Sequence, residues 1–202
     1  MPSGTERTEE LERRYQKTQF GKHLTMRVPF MLDLFCGYKG ASEAMRQRGW
    51  IVETADIKVS FNATYTVDLR EWSWKPQQPD LRVPDLVWAS PPCQEFSRQT
   101  MPWTRAKNPA PPDLSLVNSA KRIIEEINPR WWVIENVRGA VPYLGRPVKR
   151  IGAYCLWGVF PEFEAETTKR KESLPSWMKQ ERARIPYSIS LALALACETE
   201  VA

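Results

Sequence analysis

Short apolar runs closed by acids, glycines or prolines recur along the chain. Val28-Pro29-Phe30-Met31-Leu32-Asp33-Leu34-Phe35 leads into Gly37 and Gly40, then into the helix-forming stretch Ala41–Arg48, which Gly49 stops. This order predicts strand, glycine turn, helix. Trp50–Asp56 follows as a second buried strand ending in an acid, and Asp85–Ser90 and Trp131–Val137 read as two more, the first halted by Pro91 and the second by Gly139. Between them Leu116, Val117, Ala120, Ile123, Ile124 and Ile127 recur every three or four residues, with Asp113 placed to cap the start and Asn128-Pro129 to close the end. Parallel neighbours need crossover connections, so strands alternating with helices predict an α/β fold: a Rossmann-like, mostly parallel sheet with helices on both faces.

Residues 1–26 are polar and charged, with too few apolar positions to bury a face, and are expected to form a frayed helix or a disordered arm. Residues 27–202 are expected to form a single catalytic domain, the 42% hydrophobic and 26% charged content being ordinary for one globular core. No run approaches the roughly 18 apolar residues that span a bilayer. The N-terminal segment is charged where a secretory leader is apolar, so a soluble, cytoplasmic protein is expected. A single histidine, His23, argues against a Ser-His-Asp triad and a multi-histidine metal site. The four cysteines, at 36, 93, 155 and 197, form no CxxC pair, so no metal is expected. The net charge of +5 permits a polyanionic partner without requiring one.

In open α/β sheets ligands sit beyond the carboxyl ends of the strands, and Phe35-Cys36-Gly37-Tyr38-Lys39-Gly40 occupies the first strand-to-helix turn there. Asp56, at the end of the second strand, suits a carboxylate that accepts hydrogen bonds from ribose hydroxyls, which points to a nucleoside-bearing cofactor. The same pattern also fits a structural turn and a surface acid. Neither GxGxxG nor GxxxxGK[ST] is present, which argues against nicotinamide dinucleotides and P-loop chemistry. Cys93 follows Ser90-Pro91-Pro92 directly after a strand. The prolines stiffen its backbone at the edge that carries the glycine turn, a setting suited to a thiolate nucleophile. Cys36, Cys155 and Cys197 are better read as small core hydrophobes. Glu135 ends the apolar run Trp131–Ile134, where partial desolvation favours the protonated, proton-donating carboxyl.

Taken in order, DLFCGYKG, SPPCQEFS and ENVRG closely resemble the signature motifs of the cytosine-C5 DNA methyltransferase family, over residues 31 to about 140. The resemblance implies S-adenosylmethionine as cofactor, with Phe35, Cys36, Gly37, Tyr38 and Gly40 around its methionine end and Asp56 on its ribose. Ile57 and Leu69 would flank its adenine, Asp68 would meet the adenine amino group, and Pro91 would contact the cofactor through its backbone. It further implies Cys93 as the nucleophile at cytosine C6 and Glu135 as the group acting at N3. Pro92, Gln94, Ser97 and Asn136 would lie against the flipped base. Ser97–Asp113, with Arg98, Trp103, Arg105 and Lys107, resembles the loop that closes over the nucleotide.

Three departures stand out. Lys39 replaces a common second glycine. The downstream QxRxR motif is absent, leaving Arg146, Lys149 and Arg150 as basic candidates in its place. Residues 159–202 are too few for the family's separate target-recognition domain, so low or short-context specificity is expected. Lys169-Arg170-Lys171, Arg182 and Arg184 form a basic stretch suited to phosphate contacts. Ile185–Ser190 resembles the family's last motif, with Pro186 for the usual glycine and Ser188 toward the cofactor. The compact length fits a phage or mobile-element enzyme. DNA is the expected substrate; RNA or a free cytidine nucleotide, or a partner chain that supplies target recognition, are the alternatives.

Overall fold

The computed structural model describes residues 27–74, 82–101, 107, 110–167 and 184–201. Its elements are β1 (Phe30–Leu34), α1 (Glu43–Gln47), β2 (Ile51–Asp56), β3 (Tyr65–Thr66), β4 (Leu86–Ala89), α2 (Gln94–Thr100), α3 (Ser115–Ile127), β5 (Trp131–Val137), α4 (Val141–Leu144), β6 (Lys149–Ile151), β7 (Tyr154–Val159) and α5 (Tyr187–Val201). They build one seven-stranded sheet in the order β3-β2-β1-β4-β5-β7-β6. The pairs from β3 to β5 are parallel, and β7 runs antiparallel to both β5 and β6.

The four strands expected from the apolar runs are β1, β2, β4 and β5. β1 and β4, flanked on both sides, are buried along their whole length. β2 differs: its neighbour β3 is two residues long and pairs only with Ala55 and Asp56, so burial starts at Thr54 and Ile51 stays exposed.

Each face of the sheet carries its own core. On one, Leu32, Leu34, Val87 and Ile134 meet the aliphatic stripe of α3, where Val117, Ala120, Ile123, Ile124 and Ile127 are buried. Each such side chain contributes about 1.5–3 kcal/mol of burial. The Asp113 carboxylate accepts the Ser115 N–H at 2.8 Å, and Asn128 closes α3 in the left-handed conformation (φ 49°). On the other face Met31, Leu86, Trp88 and Val133 pack under Met45 of α1 and Ile189, Leu193 and Cys197 of α5. Helices thus cover both faces. Among the described residues no helix is long and apolar enough to cross a membrane.

Candidate active site

The strand order descends from β3 to β1 and then jumps to β4, so the connections after β1 and β4 leave in opposite directions and open a crevice at their carboxyl ends. A cleft of about 340 Å³ lies there. Phe35, Cys36, Gly37, Tyr38 and Gly40 from the first turn line it, with Asp56 and Ile57 after β2, Asp68 and Leu69 after β3, and Pro92 and Gln94 after β4.

The glycine turn is held from below. Asp56 is buried and accepts the Gly37 N–H at 3.1 Å and the Lys58 N–H at 3.0 Å, which fixes the carboxylate and the turn together. Gly37 has a φ of +47°, in the left-handed region that favours glycine. Gly40 is required for a different reason: a Cβ there would lie 2.6 Å from Ile185 O and 2.8 Å from Ile185 N, so the 184–185 backbone sits directly on the turn. Lys39, the departure noted above, does not line the cleft; its ammonium donates to Asn62 O at 2.6 Å and ties the turn to the segment after β2.

Asp33, not singled out from the sequence, also lines the cleft and accepts the Ser42 hydroxyl at 2.7 Å. Burial pushes its carboxyl up to about 7, against the lowering influence of the Ser42 hydrogen bond, Arg46 and Lys39. In the unfolded chain the group titrates near 3.8, so between the two values the folded state holds a proton that the unfolded state lacks, and stability falls as pH rises through this window. Asp33→Asn is therefore expected to melt above wild type at about pH 8, with the gap closing by about pH 4. A gap of equal size at both ends of a thermal-denaturation series would contradict the buried-proton assignment. Burial, reinforced by the Asp33 and Asp56 carboxylates, pushes the Cys36 thiol up to about 12, so it stays protonated at neutral pH.

Cys93 lies just past β4, at the start of α2, and is the one cysteine of the four that is not buried. Its segment is tied to the Glu135 segment by one buried hydrogen bond: Asn136 Nδ2 donates to Pro91 O at 3.0 Å. The same side chain accepts the Val137 N–H through Oδ1 at 2.9 Å. Asn136 thus ties the two segments with both ends of its amide engaged, and the Pro91 carbonyl is engaged with it. Extending the β4–β5 register by one pair sets Ser90 beside Glu135. Glu135 is buried, and its charge, after burial itself, helps push the Tyr154 phenol up. Gly139 completes the joint, since a Cβ there would lie 2.3 Å from Phe96 O in α2.

The expected site residues therefore fall into two groups. Cys93, Glu135, Ser97, Asn136 and Pro91 share the sheet edge with the cleft without lining it. Arg146, exposed after α4, and Arg150, on edge strand β6 with its Nε donating to Gly152 O at 3.2 Å, lie away from the cleft lining. Ser188 is not brought to the cleft: exposed in the first turn of α5, its hydroxyl donates to Glu166 O at 2.9 Å. Two residues on, buried Ser190 meets the start of α1 instead, donating to Ala41 O at 2.6 Å and accepting the Ala44 N–H at 3.2 Å. Arg184 lines the cleft and pairs with Glu43, which places it at the glycine turn and corrects its assignment to the phosphate-contacting stretch. Asp68 is engaged by Arg70 through both carboxylate oxygens, at 2.6 and 3.0 Å, which holds its carboxyl below the usual range. Residues 1–26, Trp103, Arg105, Lys169-Arg170-Lys171 and Arg182 lie outside the described residues.

The family described as C-5 cytosine-specific DNA methylase matches residues 30–147, more than half of the sequence. The chain belongs to this family. A frog virus 3 (isolate Goorha) protein named "Probable DNA (cytosine-5)-methyltransferase" is 31% identical over 176 residues, covering 72% of this chain and 78% of that one. Among solved structures, a protein described as a DNA modification methyltransferase encoded within an E. coli prophage is 20% identical with a TM-score of 0.42. The Entamoeba histolytica methyltransferase EhMeth is 18% identical with a TM-score of 0.41. These likenesses cover 55% and 59% of this chain but 33% and 41% of those two, so the methylase described here spans well under half of either. The family match contains all three motifs of the site: the glycine turn, the cysteine segment and the Glu135-Asn136 pair.

The cleft fits a nucleoside-bearing group. Phe35, Ile57, Val67, Leu69 and Leu116 supply apolar walls, and Asp56 is fixed with its carboxylate at the cleft surface.

Proposed function

We propose that this protein methylates C5 of cytosine in DNA, using S-adenosylmethionine held in the cleft and a transient covalent bond between Cys93 Sγ and C6 of the base. The observation that carries the reading is the Asn136–Pro91 hydrogen bond, which draws the cysteine segment and the glutamate segment together at the edge that bears the cleft. Bound there, the cofactor supplies an electrophilic methyl group. Phe35, Gly37, Tyr38 and Gly40 enclose its amino-acid end, Asp56 accepts from its ribose, and Ile57, Asp68 and Leu69 surround its base.

The Cys93 thiolate adds to C6, and the displaced electron pair passes into the ring toward C5. Glu135 donates a hydrogen bond or proton at N3, stabilising the charge that this addition creates. Once C5 carries the methyl group, water takes the C5 proton, the electron pair of that bond restores the C5–C6 double bond as the C6–sulfur bond breaks, the thiolate is regenerated and Glu135 recovers any proton it gave to N3. A paired cytosine cannot offer C6 to a sulfur atom, so the base must leave the stack, at a cost of a few kcal/mol. Pro92, Gln94 and Ser97 flank the cysteine on the side from which the base enters. Sequence choice falls to a short context read by the residues after Cys93, including exposed Arg98 and Lys107, and by the basic side chains Arg146 and Arg150.

Incubation with S-adenosylmethionine and DNA that contains 5-fluorocytosine tests this. Fluorine takes the place of the C5 proton and cannot leave as a cation, so elimination stops and turnover is expected to leave a covalent protein–DNA complex that survives denaturation and maps to Cys93. Matched arms with RNA and with the free nucleotide decide the substrate. Adduct formation in one of those arms alone overturns the DNA assignment, and no adduct in any arm overturns the covalent mechanism.

A further inference from the structure

Helix α3 contributes to the cleft twice. Leu116, in its first turn, is part of the lining. Farther along, Arg122 reaches over to the stretch after β3, which supplies the Val67–Arg70 wall of the cleft. One of its terminal nitrogens, Nη2, donates to Trp72 O at 2.7 Å and Leu69 O at 3.0 Å, with a longer contact to Arg70 O at 3.4 Å. The other, Nη1, donates to Glu126 Oε1 at 2.6 Å, and Glu126 Oε2 accepts the Trp74 N–H at 3.2 Å. One arginine and one glutamate, a helical turn apart, thus hold three carbonyls and one amide between Leu69 and Trp74, a segment that crosses the sheet edge outside any strand.

We propose that Arg122 is a positioning residue for the cofactor, setting the 67–70 wall at its working distance without itself lining the cleft. The inference rests on the reading that the cleft binds S-adenosylmethionine. The half-exposed Arg122–Glu126 ion pair contributes little alone, because solvent screens it. The effect lies in the carbonyls. A planar guanidinium satisfies several acceptors at once with little loss of freedom, whereas a lysine ammonium at this position is a point charge on a mobile stem. Without the guanidinium the wall must be ordered when the ligand arrives, and affinity falls by that ordering cost.

The test is calorimetric binding of S-adenosylhomocysteine, paired with steady-state kinetics, for wild type, Arg122→Met and Arg122→Lys. Arg122→Met keeps the length of the stem and removes every donor. It is expected to raise Kd for S-adenosylhomocysteine and KM for S-adenosylmethionine together by about tenfold. KM for DNA and kcat at saturating cofactor are expected to stay within about twofold of wild type. Arg122→Lys is expected to fall between, and methylguanidinium added to Arg122→Ala to restore part of the lost affinity. A purely structural role would lower Tm in all variants and leave Kd unchanged well below the transition; that result overturns the proposal, as does an equal loss in KM for DNA. Wild type that fails to bind S-adenosylhomocysteine overturns the cofactor reading and this inference with it, whereas tight binding by wild type and Arg122→Met alike overturns the inference alone.

Discussion

Cys93→Ala is expected to lose at least about three orders of magnitude in methyl transfer, since removal of an attacking nucleophile eliminates the route through a covalent intermediate. Binding of S-adenosylhomocysteine is expected to remain at the wild-type level, because Cys93 does not line the cleft. The other three cysteines serve as internal controls. Burial pushes the thiols of Cys36 and Cys197 up to about 12 and also raises that of Cys155, so none of them presents a thiolate near neutrality. Cys155→Ala and Cys197→Ala are expected to lower Tm through the small cavities they leave, and both should still form the 5-fluorocytosine adduct. Single-turnover transfer of a labelled methyl group measures the loss. Retention of more than a tenth of wild-type activity by Cys93→Ala would remove the cysteine from the reaction.

Gly139→Ala is expected to act at a distance. The added methyl carbon would lie 2.3 Å from Phe96 O and 3.2 Å from Thr100 Cγ2, and the first of these is backbone that cannot rotate away. Helix α2, which begins next to Cys93, must then shift relative to β5, which carries Glu135. A displacement of about 1 Å between reacting groups costs roughly 10²-fold in rate, so kcat is expected to fall by about that factor. Gly139 does not line the cleft, and of α2 only Gln94 does, so cofactor affinity should change far less than kcat. Kinetics that show a raised KM for the cofactor with kcat preserved would mean that α2 does not set the cysteine against the glutamate.

The parts of this molecule legible in the sequence are those whose physics is local. Apolar runs with terminal punctuation reveal β1, β2, β4 and β5, and the three- and four-residue recurrence reveals α3 with its Asn128 close; at its start Leu114 is the N-cap and Asp113 sits one residue earlier. Helix α5 was hidden by its composition. Leu191-Ala192-Leu193-Ala194-Leu195-Ala196 alternates with a period of two, which conceals the buried step of four through Ile185, Ile189, Leu193 and Cys197. β3 and β6 are too short for periodicity to register, and β6 is paired on one side only.

The site divides along the same line. The glycine turn, Asp56 and the positions of Cys93 and Glu135 follow from strand ends, which sequence reveals. The tie from Asn136 to Pro91 is not legible, because it spans 45 positions and depends on the register between β4 and β5. Which serine of α5 turns inward, Ser190 rather than Ser188, is set by the pitch and docking of the helix. Arg122 carries no sequence signal of its own, and Arg184 reads only as part of a basic stretch suited to phosphate contacts. Their partners lie 50 or more positions away along the chain for Arg122's carbonyls and at Glu43 for Arg184, and only the fold brings them together.

The close seating of Arg184 and Ile185 on Gly40, joined by the Arg48–Glu198 pair and the Trp50 indole on the same glutamate, fastens the two ends of the described chain to each other. A growing polypeptide can pair β1 with β2 and β4 soon after they leave the ribosome, yet the ligand crevice stays one wall short until residue 185 has emerged. Contacts of such large sequence separation form late and slowly. The crevice is therefore complete only once the 184–185 segment has docked on the glycine turn.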